Sequence, residues 1–106
     1  MNNEYQKWVE EMWFSGEHRS IEEGLTIASF GLAGETGEVM ELLKKRIRDG
    51  RVIKEDLKKE LGDVLYYWCR IAAYFDMTPE EIIEANRDKL NSRKERGVMR
   101  GSGDNR

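Results

Sequence analysis

Apolar residues recur along this chain at intervals of three and four, with charged residues between them. That spacing collects each apolar set on one face of an α-helix. The longest stripe runs Ile21, Leu25, Ala28, Leu32, then Glu35, then Val39 and Leu42. A second runs Ile53, Leu57, then Glu60, then Val64, Trp68, Ile71 and Phe75. The pattern predicts a short helix over residues 4–14, with Tyr5, Trp8 or Val9, and Met12 or Trp13 on one side. Ser20-Ile-Glu-Glu23 is a capping-box signature that starts a long helix reaching about Arg48. Asp49-Gly50 is a turn signal, and the next helix spans about Lys54 to Phe75. Asp76-Met77 breaks it, and Thr78-Pro79-Glu80-Glu81 restarts a fourth helix running to about Glu95 or Arg96. Gly97 ends that helix, and Gly101-Ser-Gly103 marks a flexible tail over about 97–106. No alternating strand pattern or repeat occurs. The expectation is one all-α domain over residues 1–106, a four-helix bundle built around an antiparallel hairpin.

Two features of the stripes need a physical reason. The long helix carries Gly24, Gly31, Gly34 and Gly37, each costing up to about 1 kcal/mol in a helix interior. Close approach of another helix or of a ligand would supply the reason, and a break near Gly24 or Gly31 is the alternative. The second feature is acidic. Glu35 and Glu38 are spaced i, i+3, as are Glu60 and Asp63, so each pair projects from one helical face. If the chain reverses at Asp49-Gly50, the first helix travels about ten residues, roughly 15 Å, beyond Glu38, and the second, starting near Ile53, needs about seven residues to return to Glu60. The two pairs then stand nearly level on neighbouring helices, with Glu35 and Glu60 in core-facing slots. Ordinary charges on helix flanks are the plain alternative in a chain that is 37% charged. Two pairs in register on the core stripes point instead to a hard divalent cation, because crowded carboxylates repel unless protonated or neutralised. Mg²⁺ suits a few carboxylates plus water and phosphate oxygens. Glu41, one turn beyond Glu38, is a possible fifth ligand.

Composition adds limits. At 106 residues, 39% hydrophobic and with a mean hydropathy of −0.77, the chain has little apolar material for a self-sufficient core, so self-association as a homodimer or homotetramer is expected. The net charge of −3 argues against stable nucleic-acid binding, although residues 86–106 hold seven Lys/Arg against three Asp/Glu. The single cysteine, Cys69, excludes an internal disulfide and lies in an apolar run, as a buried thiol in a cytoplasmic protein would. No apolar run approaches the length needed to span a membrane.

These residues resemble a known family. Glu-x-x-Glu, about twenty residues, then Glu-x-x-Asp is similar to the signature of the MazG-type, all-α nucleoside triphosphate pyrophosphohydrolases. Gly31-Leu-Ala-Gly-Glu35, Asp63-Val-Leu-Tyr-Tyr67, Asn86-x-x-Lys89-Leu-x-x-Arg93 and the ending from Arg96 to Arg106 share the likeness, which covers roughly residues 20–106. The length resembles the small single-domain branch of phages and bacteria, which would place the protein in a host cytoplasm if phage-encoded. One departure is Gly34, where the family pattern often has a second glutamate.

The resemblance implies hydrolysis of a (deoxy)nucleoside triphosphate between the α and β phosphates, giving the monophosphate and pyrophosphate. It implies Mg²⁺, with Mn²⁺ as a substitute, held by Glu35, Glu38, Glu60 and Asp63, and either Glu35 or Glu38 as the base. Tyr67, one turn past Asp63, faces the same site and is expected at sugar or base, or in the core. Asn86, Lys89 and Arg93 share one helical face that would grip the phosphate chain, or simply complement a helix C-terminus. Arg100 and the glycine-rich tail would fold over phosphates as a lid, with simple disorder the alternative. Trp13 and Phe14 are expected in core or interface packing, with base stacking the alternative; His18 is expected in an exposed loop. A di-iron bundle is excluded because the only histidine, His18, forms no Glu-x-x-His pair. The competing function is a non-enzymatic module that binds a partner or nucleic acid through the basic C-terminal segment; a modified or alarmone nucleotide would change the substrate alone.

Overall fold

Local capping chemistry marks the starts of two of the helices, at Ser20 and Thr78. The computed structural model describes residues 3–14, 20–51, 53–97 and 103. It contains α1 (Asn3–Phe14), α2 (Ile21–Asp49), α3 (Lys54–Tyr74) and α4 (Pro79–Arg96), and no strand among the described residues. The all-α architecture expected from the sequence is the one adopted. At the head of α2 the Ser20 hydroxyl accepts from the Glu23 amide at 3.1 Å. At its end Gly50, with φ of 83°, donates its amide to the Arg46 carbonyl at 2.8 Å. The capping box of α4 is complete: Thr78 Oγ1 accepts from the Glu81 amide at 3.2 Å, and Glu81 Oε1 accepts from the Thr78 amide at 3.2 Å. Helix α3 stops one residue short of Phe75, and the turn beyond it holds Asp76 in the left-handed region with φ of 55°.

Helix α2 does not break at Gly24 or Gly31. Both glycines face α3, where a Cβ on Gly24 would overlap the Tyr74 hydroxyl and one on Gly31 would overlap the Tyr67 ring. The poor helix propensity is offset by close packing of α2 on α3. A Cβ on Gly34 or Gly37 would meet nothing within 4 Å beyond the helix's own backbone.

Helices α2 and α3 form the antiparallel hairpin, α1 lies along α3, and α4 makes only slight contact with the other helices. The molecule is drawn out, 49 × 39 × 25 Å with a radius of gyration of 16.8 Å, against about 13 Å for a compact chain of this size. Among the described residues the buried hydrophobic side chains are small: Val9, Ala28, Cys69 and Ala72. Of the stripe residues, Ile21, Ile53 and Phe75 are exposed, each at an end of the hairpin where no neighbouring helix remains to cover it. On α1 Val9 rather than Trp8 points inward. The Cys69 thiol is fully buried, and burial, with Glu80 nearby, pushes it up to about 11. An apolar hollow of about 310 Å³ on the open side of α3 is lined by Leu61, Val64, Leu65 and Trp68.

Candidate metal and nucleotide site

The close contacts of the hairpin set the phase of the site. From Gly24 opposite Tyr74 to Gly31 opposite Tyr67, each helix advances seven residues, two turns, in opposite directions. One further turn along each brings Glu35 beside Asp63, with Glu60 a turn beyond. Ligand oxygens of Glu35, Glu60 and Asp63 lie within 4.8 Å of one another. Glu35 and Glu60 are half-buried and Asp63 is exposed.

Glu38 stands apart from this trio and is exposed. Its charge still reaches Glu35. Burial pushes the Glu35 carboxyl above its ordinary value, a hydrogen bond with Glu60 adds to this, and the negative charges of Asp63, Glu60 and Glu38 complete the effect. A proton shared between Glu35 and Glu60 is one way to relieve the repulsion, and a divalent cation is the other. An all-oxygen donor set of this kind fits a hard cation such as Mg²⁺.

Tyr67 is half-buried, wedged between the Gly31 backbone and two perpendicular aromatic neighbours. Tyr66 lies 5.3 Å away at 81° and Trp13 6.4 Å away at 90°. Trp13 itself packs inward, and its indole N–H donates to the Tyr74 hydroxyl at 2.9 Å. On α4, Asn86 and Lys89 line a shallow hollow of about 310 Å³ with Ile82 and Ala85. Arg93 is buried, and its Nη2 donates to the Gly103 carbonyl at 3.3 Å. Because α4 only grazes the other helices, contacts among the described residues do not hold this basic face against the carboxylates. Phe14 as a side chain, His18 and Arg100 lie outside the described residues.

Sequence reasoning misses Arg70. It is 2% exposed, with its guanidinium 4.4 Å from the Tyr74 ring centroid and 4.9 Å from that of Trp13. Its only signal in the sequence is a single charge inside the apolar run from Val64 to Tyr74. Tyr5 reads from the sequence as a core residue alone, yet its phenol is near enough to Asp63 to feel that charge, after burial and Cys69 and Tyr66, in raising its pKa.

No helix among the described residues is long and apolar enough to cross a membrane. Residues 25–98 match the model of the MazG nucleotide pyrophosphohydrolase domain. Over 97 residues the chain is 44% identical to "Gene 37 protein" of Mycobacterium phage L5, a match covering 87% of this chain and 84% of that protein. No solved structure matches the chain. A family match across residues 25–98 takes in the carboxylates and nearly all of the helical hairpin, and the chain belongs to the MazG nucleotide pyrophosphohydrolase family.

Proposed function

We propose that this chain hydrolyses (deoxy)nucleoside triphosphates to the nucleoside monophosphate and pyrophosphate, with Mg²⁺ held by Glu35, Glu60 and Asp63. The observation that carries the reading is the clustering of those three carboxylates within 4.8 Å on the hairpin of a pyrophosphohydrolase-family chain. A bound divalent cation supplies neutralisation of the phosphate oxygens and a more acidic water. Glu38, exposed and outside the trio, accepts the proton as water attacks the α-phosphorus and the bond to the β-phosphate breaks. Tyr67 lies against the sugar or base. Asn86, Lys89 and Arg100 receive the triphosphate and the departing pyrophosphate, and Arg93 joins them by giving up its bond to the Gly103 carbonyl.

The same reading includes self-association in a host cytoplasm. Leu61, Val64, Leu65 and Trp68 form an apolar strip on α3, and α4 is scarcely packed, so a second copy covering α3 would supply the missing core. Leu61→Glu should then shift the protein to a monomer in light-scattering chromatography; an unchanged mass would remove α3 as the interface.

Product analysis decides the chemistry. Each (d)NTP is incubated with and without Mg²⁺, and monophosphate plus pyrophosphate is separated from diphosphate plus phosphate. The first pair should appear, vanish with EDTA and fall at least about a hundredfold in Glu38→Gln. Diphosphate and phosphate, or no turnover by the folded Mg²⁺-loaded protein, would overturn the proposal.

A further inference from the structure

A buried arginine that takes no part in metal binding is an expensive way to join two helices. Burying a guanidinium removes hydration that its neighbours must replace, a demand that an apolar side chain of similar volume would not make. Arg70 sits on α3 in a corner formed by two aromatic rings, Trp13 of α1 and Tyr74 of α3, which meet at 86°. A delocalised cation is attracted to both faces, and its rigid plane resists tilting by either ring. The Trp13 N–H bond to the Tyr74 hydroxyl closes the corner, and Gly24 leaves the space that the hydroxyl needs.

Trp13 is the hub that joins this corner to the site. Its ring lies 6.4 Å from each of Tyr66, Tyr67 and Tyr74. Tyr67 meets Trp13 in a perpendicular contact at 90° and also packs on Gly31. Tyr67 is one turn along α3 from Asp63, the nearest member of the carboxylate cluster on that helix.

We propose that Arg70 is a positioning residue for substrate binding, fixing the Trp13 ring in the Arg70–Trp13–Tyr74 corner and, through Trp13, the angle at which Tyr67 meets the nucleoside. The inference rests on the pyrophosphohydrolase reading and on Tyr67 as a nucleoside contact. It separates two parts of the site: the carboxylates bind the cation and carry the chemistry, and the aromatic seam between α1 and α3 sets the fit of the nucleoside.

The test compares Arg70→Met, which keeps the packing volume and loses charge and plane, with Arg70→Lys, which keeps the charge. Steady-state kinetics with each dNTP is combined with calorimetric binding of the non-hydrolysable α,β-methylene dNTPs and of Mn²⁺ alone. Arg70→Met should raise KM and weaken analogue binding about fivefold to tenfold, with kcat within about twofold and Mn²⁺ affinity unchanged; Arg70→Lys should fall between it and the wild type. Unchanged KM in both variants, or activity lost only in proportion to the folded fraction, would overturn the positioning role while leaving the reaction intact. Should Arg70→Met fail to fold, Arg70→Lys decides by the same KM-against-kcat comparison. A wild-type protein that neither binds the analogues nor turns over any dNTP would instead overturn the pyrophosphohydrolase reading, and the positioning role with it.

Discussion

Replacing Gly31 with alanine sets two effects of known sign against each other. Alanine improves helix propensity by about 1 kcal/mol in a helix interior. The new methyl, however, would lie 2.6 Å from Tyr67 Cδ1, against 3.4–4 Å for an ordinary contact, so the ring must retreat by about 1 Å. Tyr66 at 5.3 Å and Trp13 at 6.4 Å stand on its other sides, so the movement spreads through the seam. Overpacking of this kind costs about 1–3 kcal/mol, giving a net loss of about 1 kcal/mol and a fall in Tm of about 5 °C. Gly34→Ala is the matched control, because nothing lies within 4 Å of its Cβ position. It should raise stability by up to about 1 kcal/mol. Thermal unfolding of all three proteins by far-UV circular dichroism, at one protein concentration, reads the contrast. Stabilisation of Gly31→Ala to the same extent as Gly34→Ala would refute the close contact between α2 and the Tyr67 ring.

The same geometry fixes further outcomes. Folding raises the Glu35 pKa above its ordinary 4.5, so the native state holds more protons between that value and the raised one; metal-free stability is then greatest below the interval and declines as pH rises through it. Urea midpoints in EDTA should show this decline in the wild type and lose it in Glu35→Gln, whose Mn²⁺ affinity should also fall at least about tenfold; identical pH profiles would contradict the shift. Cys69, fully buried and with its thiol raised to about 11, should resist a thiol reagent in the native protein and react at once in denaturant, and labelling at comparable rates in both states would show an open α3. Asp76→Gly should raise stability by about 0.5–1 kcal/mol by relieving the left-handed backbone at φ of 55°, an effect a urea titration resolves; a loss would mean that the Asp76 side chain supports the turn.

The helix starts were legible because their causes are local: a Ser20 or Thr78 oxygen reaches the amide three residues on whatever the rest of the chain does. The antiparallel return of α3 was legible from Asp49-Gly50 and the acidic spacing together. Which glycines touch α3 was not, since that depends on the register of two packed surfaces rather than on either sequence; Gly24 and Gly31 do, and Gly34 and Gly37 do not. The same limit applies to the carboxylates. Spacing on a helix wheel groups Glu38 with Glu35 just as it groups Asp63 with Glu60, yet packing of α2 on α3 brings Asp63 into the trio and leaves Glu38 outside it. Arg70 was hidden because one charge in an apolar run has no periodicity, and the aromatic corner that holds it is assembled from residues 57 or more positions apart on α1 and α3.

The Gly–Tyr contacts that fix the hairpin also free its tip. The register of α2 against α3 is locked at Gly24–Tyr74 and Gly31–Tyr67, on the far side of the carboxylates from Asp49–Gly50. Glu35 is 14 residues, about 21 Å, from Asp49. The turn therefore transmits no phase to the cluster, and extra residues there lengthen a loop whose closure entropy grows only slowly with size. The tip at Asp49-Gly50 is the natural place to splice in a reporter, a surface tether or a whole second domain without retuning the carboxylate cluster.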